Sequence, residues 1–169
     1  MRVATLIGTA ALLLSTTARA QTVSYDYDRN ADLGAIRTYA WVGGNLEDEL
    51  NHQRVVRAFD AQLAAKGLRK VEATEQPDVV IAYHAAFGRE VQVTGSGWNG
   101  YRVSRAGTAR IEEVVVGSLA LQLADARTGN VVWRGMATRD VDLDASPEQR
   151  EKNIAKAVEK MLKYYPKNS

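Results

Sequence analysis

The sequence predicts an α+β protein in two layers: a mostly antiparallel twisted sheet with two helices packed on one face. Three observations predict it. Six stretches alternate apolar and polar residues with the period of a half-buried strand, and two others repeat apolar residues at helical spacing between recognisable caps. Their order is β-β-α-β-β-loop-β-β-α, and each element has one apolar face to bury, which two stacked layers satisfy.

The chain has 169 residues. It opens with a segment that reads as a secretory signal. Met1-Arg2 is a short positive start, Val3–Leu14 is an apolar run, and Ala18-Arg19-Ala20 has the small-x-small form of a cleavage site. The run is too short to span a bilayer comfortably. Residues 1–20 are therefore expected to be removed, and residues 21–169 to form a single domain. No later stretch is long and apolar enough to span a membrane.

The signal carries Arg2 and Arg19 and no acid, so 22 Lys+Arg against 20 Asp+Glu becomes 20 against 20 without it. A balanced domain has no electrostatic footprint for nucleic acid. The chain contains no cysteine. Disulfides and thiolate chemistry are excluded. Without a cysteine after residue 20, the sequence predicts an exported protein with no lipid anchor, in the periplasm or outside the cell.

Gln21–Tyr27 alternates, with Val23, Tyr25 and Tyr27 on one parity, and predicts a strand with those three on its buried face. Ile36–Val42 is a second strand, ended by Gly43-Gly44. Asn45 reads as an N-cap, with Glu47, Asp48 and Glu49 at the positive helix end. Leu46, Leu50, Val56, Phe59 and Leu63 give a stripe for a helix over residues 46–66, broadened by Val55 and stopped at Lys66-Gly67. Leu68–Val71 is a short strand and Thr74–Pro77 a turn.

Val79–Phe87 is a stronger strand, and its alternation continues to Val93. Residues 94–108 hold four glycines with Trp98 and Tyr101 among them, which predicts a loop or hairpin tip. Ala109–Ala124 resumes as a long strand, and a change of apolar parity at Gly117 predicts a bulge or bend there. Thr128-Gly129-Asn130 marks a tight turn into Val131–Thr138, where Val131, Trp133 and Gly135 share a face. Ser146, Pro147 and Gln149 predict a capping box for a last helix. Its stripe is Ile154, Val158, Met161, Leu162 and Tyr165, and Pro166 ends it.

Several of these stretches resemble DUF4136, a family of exported bacterial envelope proteins. They are Val23–Asp28 (VSYDYD), Arg37–Trp41 (RTYAW), the helix end Ala65-Lys66-Gly67, Pro77–Tyr83 (PDVVIAY), Gly117–Gly135 with its DARTGN turn and VWRG, and the helix ending Tyr165-Pro166. The resemblance implies an envelope location and carries no established reaction. Many members are lipoproteins, a form from which this cysteine-free chain departs.

Residues with catalytic potential are few. His52 is expected to face solvent and His84 to be a structural histidine on a strand. Asp26, Asp28 and Asp32 form one sparse acidic group, and Asp140, Asp142 and Asp144 another. Neither has the glycine and distal glutamate of an EF-hand loop, so a solvated edge and a helix-entry loop are expected. No glycosidase pair stands out by spacing. There is no G-x-S-x-G elbow, and Gly95-Ser96-Gly97 lacks the following Lys-Ser/Thr of a phosphate loop. No catalytic residue, metal site or cofactor is predicted. The feature that stands out is the glycine-rich loop. Trp98 and Tyr101 are the aromatic types that anchor interfaces, and Arg102, with Arg105, adds cationic partners. The reading is an exported, non-enzymatic binding or structural module that contacts an envelope protein or outer-membrane component through Trp98, Tyr101 and Arg102. The alternative is a secreted hydrolase or small-ligand binder using the acids and His84, which requires a deep pocket lined by His84 and acids.

Overall fold

A computed structural model of the chain describes residues 21–95 and 109–166. Strands β1 (Thr22–Tyr27), β2 (Thr38–Gly44), β3 (Arg69–Lys70), β4 (Val79–Gly95), β5 (Ala109–Asp125) and β6 (Val131–Asp140) form one sheet in the order β1-β6-β5-β4-β2-β3. Helices α1 (Glu49–Ala65) and α2 (Pro147–Leu162) complete the α+β fold. The β1–β6, β6–β5 and β5–β4 pairs are antiparallel, whereas β2 runs parallel to both β4 and β3. The sheet is therefore mixed. Both helices contribute to one buried cluster with the sheet face that carries Tyr39, Ile81, Tyr83, Leu121, Leu123 and Trp133. Burying a Val, Leu, Ile or Phe side chain contributes about 1.5–3 kcal/mol, so Val55, Phe59 and Leu63 alone give α1 a firm seat.

The parallel seam is fixed by side chains from two of the sequence motifs. At the start of β4, the Asp78 carboxylate accepts from the Arg37 and Thr38 amides (both 2.8 Å) and from the Thr38 hydroxyl (3.0 Å). The Asp78 amide in turn donates to the Thr38 hydroxyl at 2.9 Å. These bonds favour the charged carboxylate and hold it below its ordinary pKa despite some burial, which pushes the other way. Further along β2, the Tyr39 hydroxyl and Trp41 Nε1 both donate to Asp60 Oδ1 of α1 at 2.8 Å. Lys70 Nζ of β3 reaches Asp60 Oδ2 at 3.0 Å. One carboxylate thus ties the helix to two parallel strands.

Several local expectations are corrected. Asn45 does not cap α1. Its amide pairs with both backbone groups of Ala85, accepting at 2.6 Å and donating at 2.8 Å, and so closes the β2 edge of the seam. Asp48 is the cap, accepting from the Asn51 amide. The helix starts three residues later than the stripe implied, and Leu50 is exposed. Tyr25 and Tyr27 are exposed as well, because β1 is an edge strand; Tyr25 stacks on Tyr164 at 5.0 Å. Pairing runs through Gly117 without a shift, and the irregularity falls opposite Leu123/Ala124, which buries Val132 and exposes Val131. At α2, Ser146 caps the Gln149 amide, but Gln149 bonds to Asn153 instead of reaching back. The Lys66-Gly67 stop holds: Gly67 has φ 90°.

Two consequences are measurable. Asp60→Ala strands the Tyr39 hydroxyl and the Trp41 indole in a half-buried site, at about 1–3 kcal/mol per unpaired group. The unfolding free energy in urea is expected to drop by about 2–4 kcal/mol, and Asp60→Asn, which keeps an acceptor, to lose less. The second concerns alkali. Burial pushes the phenols of Tyr39 and Tyr83 up, helped at Tyr39 by the Asp60 carboxylate and at Tyr83 by Glu49. It pushes Tyr165, whose buried hydroxyl has no partner among the described residues, up to about 12. The unfolded chain ionises near pH 10 and the folded one resists, so stability is held below about pH 10 and lost as pH rises toward 12. Circular dichroism against pH reads this. Tyr165→Phe is expected to cost no stability at pH 7 and to move the alkaline midpoint upward.

Candidate binding cleft

The core is graded in size along the sheet. At one end it holds Trp133, Tyr39, Tyr83 and Tyr165. At the other, the inward positions are Ala85 on β4, Gly117 on β5, Ala137 on β6 and Ala157 on α2. Over these small residues, where the N-terminal halves of both helices pass the middle of β4 and β5 and the end of β6, lies a largely apolar cleft of about 230 Å³. Leu46, Val55, Leu119, Val141 and Ile154 wall it, and Phe87 and Leu143 stand at its mouth, 64% and 63% exposed.

The rim is held by Arg150. Its guanidinium donates to the Ala145 carbonyl at 2.9 Å and the Leu143 carbonyl at 2.8 Å, which fixes the segment entering α2. The Val141 amide bonds to the Val115 carbonyl at 2.6 Å and brings the same segment against β5. Gly117 permits this approach: a β-carbon there would lie 2.6 Å from Val141 Cγ2.

A second, broader cavity of about 740 Å³ lies at the opposite end and is lined in part by Asp32, Asp78 and Asp125. Each of these carboxylates is engaged with backbone. Asp32 takes the Gly34 amide, Asp78 those of Arg37 and Thr38, and Asp125 those of Arg127 and Thr128. The bonds from Thr128 lower the Asp125 pKa. These groups shape turns.

The predicted partner residues Trp98, Tyr101 and Arg102, with Arg105, lie outside the described residues. His84 is exposed on the open face of the sheet opposite Ala120 and lines neither cavity. His52, expected to face solvent, is half-buried with Nδ1 2.6 Å from the Tyr83 hydroxyl. Asp26 pairs with Arg134 at 3.0 Å, Asp28 holds the Asn30 amide, and Asp142 that of Asp144. Among the described residues no group of three or more His, Cys, Asp or Glu has the geometry of a metal site. The sequence reasoning missed the cleft. Its signal was the run of Ala and Gly at inward positions of successive strands.

The molecule is thus a two-layer α+β domain with a mixed sheet and an apolar cleft at one end. It belongs to the DUF4136 family, a domain of unknown function, which matches residues 23–167. No curated protein matches the sequence. Among solved structures, a PDZ domain protein from Parabacteroides distasonis is similar with a TM-score of 0.56 and 17% identity. That match covers 92% of this chain, which spans only 38% of the other. A DUF4136 family protein from Bacteroides thetaiotaomicron matches with a TM-score of 0.52 and 15% identity, covering 85% of this chain and 94% of that one. The PelC dodecamer from Paraburkholderia phytofirmans has a TM-score of 0.52 and 16% identity, covering 85% and 95%.

One expectation is withdrawn here. The chain was expected to have no lipid anchor, yet the matching structures include a lipoprotein from Neisseria meningitidis (TM-score 0.44, 14% identity, 75% and 98% covered). They also include a minor lipoprotein from Acinetobacter baumannii (TM-score 0.35, 13% identity, 76% and 87% covered). The physical reason is narrow: a missing cysteine bears on one attachment chemistry alone. Among the described residues no helix is long and apolar enough to cross a membrane.

The close approach at the cleft floor predicts a coupling. Gly117→Ala is expected to cost about 1–3 kcal/mol by overpacking. Val141→Ala in the same chain is expected to recover most of that cost, read as a double-mutant cycle in urea.

Proposed function

We propose that this chain is an exported, non-enzymatic binding module of the cell envelope. In this reading Met1–Ala20 is a cleaved signal, residues 21–169 form one domain in the periplasm, and Trp98, Tyr101 and Arg102 contact an envelope protein or outer-membrane component. One observation carries it. Strands β4 and β5 continue for seven residue pairs, Arg89↔Val115 to Gly95↔Ala109, past the last β5–β6 pair, Val116↔Asp140. At about 3.4 Å per residue this ribbon is about 24 Å long. The chain builds a long paired arm whose two strands are joined by the segment holding two aromatics and two arginines. Such residue types carry binding energy at interfaces. Of the acids of the alternative hydrolase reading, by contrast, Asp26, Asp28, Asp32 and Asp142 are engaged in turns or an ion pair.

Three experiments test this. Sequencing the N-terminus of protein recovered from the periplasmic fraction is expected to begin at Gln21; a full-length cytoplasmic pool would remove the export reading. A photo-crosslinking residue placed at position 98 or 101 in living cells is expected to give a discrete adduct with one envelope protein, absent when placed at Arg57 on α1. Trp98→Ala with Tyr101→Ala is expected to weaken binding to that protein by about 2 kcal/mol or more, roughly thirtyfold. Adducts no stronger than at Arg57 would sink the role of these residues.

A further inference from the structure

The residue expected to stand first in the exported chain has a chemistry of its own. Ala18-Arg19-Ala20 is the small-x-small site, so cleavage there leaves Gln21 with a free α-amine. A glutamine in that place carries a nucleophile and a carboxamide in one residue. The amine nitrogen and Cδ are the two ends of a five-membered ring, and holding both in one residue replaces a bimolecular encounter. An α-amine has a pKa of about 7.7–8.0, so an appreciable fraction is the unprotonated nucleophile at neutral pH.

The position of Gln21 suits that reaction. Strand β1 begins at Thr22, whose partner is Thr138, so Gln21 stands one residue outside the β1–β6 ladder. No strand pairing has to break for its nitrogen to turn toward its own side chain. The side chain also has a reason to leave its place. Gln21 is half-buried, and its Nε2 is a buried donor with no partner among the described residues. A buried, unpaired amide donor costs free energy, and ring closure expels that nitrogen. Gln53 and Gln149, by contrast, donate from Nε2 to Glu49 and Asn153.

We propose that Gln21 is a modification site, at which the mature chain closes to an N-terminal pyroglutamate. The α-amine nitrogen attacks Cδ and a C–N bond forms. The Cδ–Nε2 bond breaks, and Nε2 takes a proton from the amine and leaves as ammonia. No oxidant, reductant or co-reactant enters. The product has no α-ammonium, so one positive charge is lost beside the edge strand. It also gives an aminopeptidase no free amine to hold. That protects a short edge: the next residues, Thr22 and Val23, pair with Thr138 and Ala137, and Val23 packs against the core. The proposal rests on the proposed cleavage after Ala20.

The full chain is expressed with its own residues 1–20, and the periplasmic fraction is treated at harvest with an amine-reactive label. Its N-terminal peptide is then read by tandem mass spectrometry, because a lactam blocks stepwise degradation from the amine. In most of the protein the peptide is expected to begin at residue 21, to lack one ammonia and to carry no label at its N-terminus. Gln21→Asn, whose carboxamide would have to close a strained four-membered ring, is expected to keep a labelled amine and to lose no ammonia. If most of the protein begins with intact, labelled Gln21, the proposal is overturned and the cleavage reading stands. A chain that begins elsewhere overturns both. An unlabelled N-terminus in Gln21→Asn shows that something other than ring closure blocks the amine, and overturns the proposal as well.

Discussion

The structure turns on the seam where β2 joins β4 in parallel. Apart from the two-residue parallel pair of β2 with β3, every other pairing in the sheet is antiparallel. A parallel pair has no tight turn to set its register. Here the register is set by the Asp78 carboxylate, which bonds to Arg37 and Thr38 as the two strands begin side by side. Asn45 closes the same seam at its far end by copying the hydrogen-bond pair of a strand residue. Between these two clips, Asp60 of α1 gathers Tyr39, Trp41 and Lys70. The helix, the two parallel strands and the start of β4 thus depend on two aspartates and one asparagine.

This gives a physical meaning to the motifs that mark the family in the sequence. RTYAW and PDVVIAY are the two sides of the seam. Arg37, Thr38 and Asp78 set it, Tyr39 and Trp41 bind it to α1, and Tyr83 packs edge-on to Trp41 at 6.1 Å and bonds to His52. DARTGN is a turn in which Asp125 collects two amides and Gly129 adopts φ 73°. In VWRG, Gly135 leaves room for the Trp133 ring and for Met161 of α2. Each of these motifs makes contacts that hold the fold together. They are marks of how the domain folds, which is why recognising them said so little about activity.

The element order and both helices were legible because they rest on local periodicity and caps. What escaped was set by partners far away in the chain. Asn45 has the right residue type for a cap, but Ala85, 40 residues on, offers it two backbone groups at once. Tyr25 and Tyr27 alternate like buried residues, yet whether a strand face is buried depends on the layer above it, and β1 lies at the edge. The parity change near Gly117 is real. It reflects Val114 and Val116 lying on the face away from the helices while Leu119, Leu121 and Leu123 lie beneath them, with no break in pairing. A sequence shows that the apolar side has changed; only the pairing tells whether the strand bulged or the surroundings did.

The cleft follows from the same grading of sizes. Large side chains fill the sheet–helix space at the Trp133 end, and alanines and a glycine leave it open at the Phe87 end. An open cleft of this kind leaves its apolar walls against water, which burial would favour. The loop carrying Leu143 is nevertheless held by Arg150 so that the mouth stays open. A packing fault would be expected to collapse or to stay out of reach of solvent. This space has a braced rim, two exposed apolar side chains at its mouth and a paired arm growing from its floor. Those three features together set it apart from a packing fault.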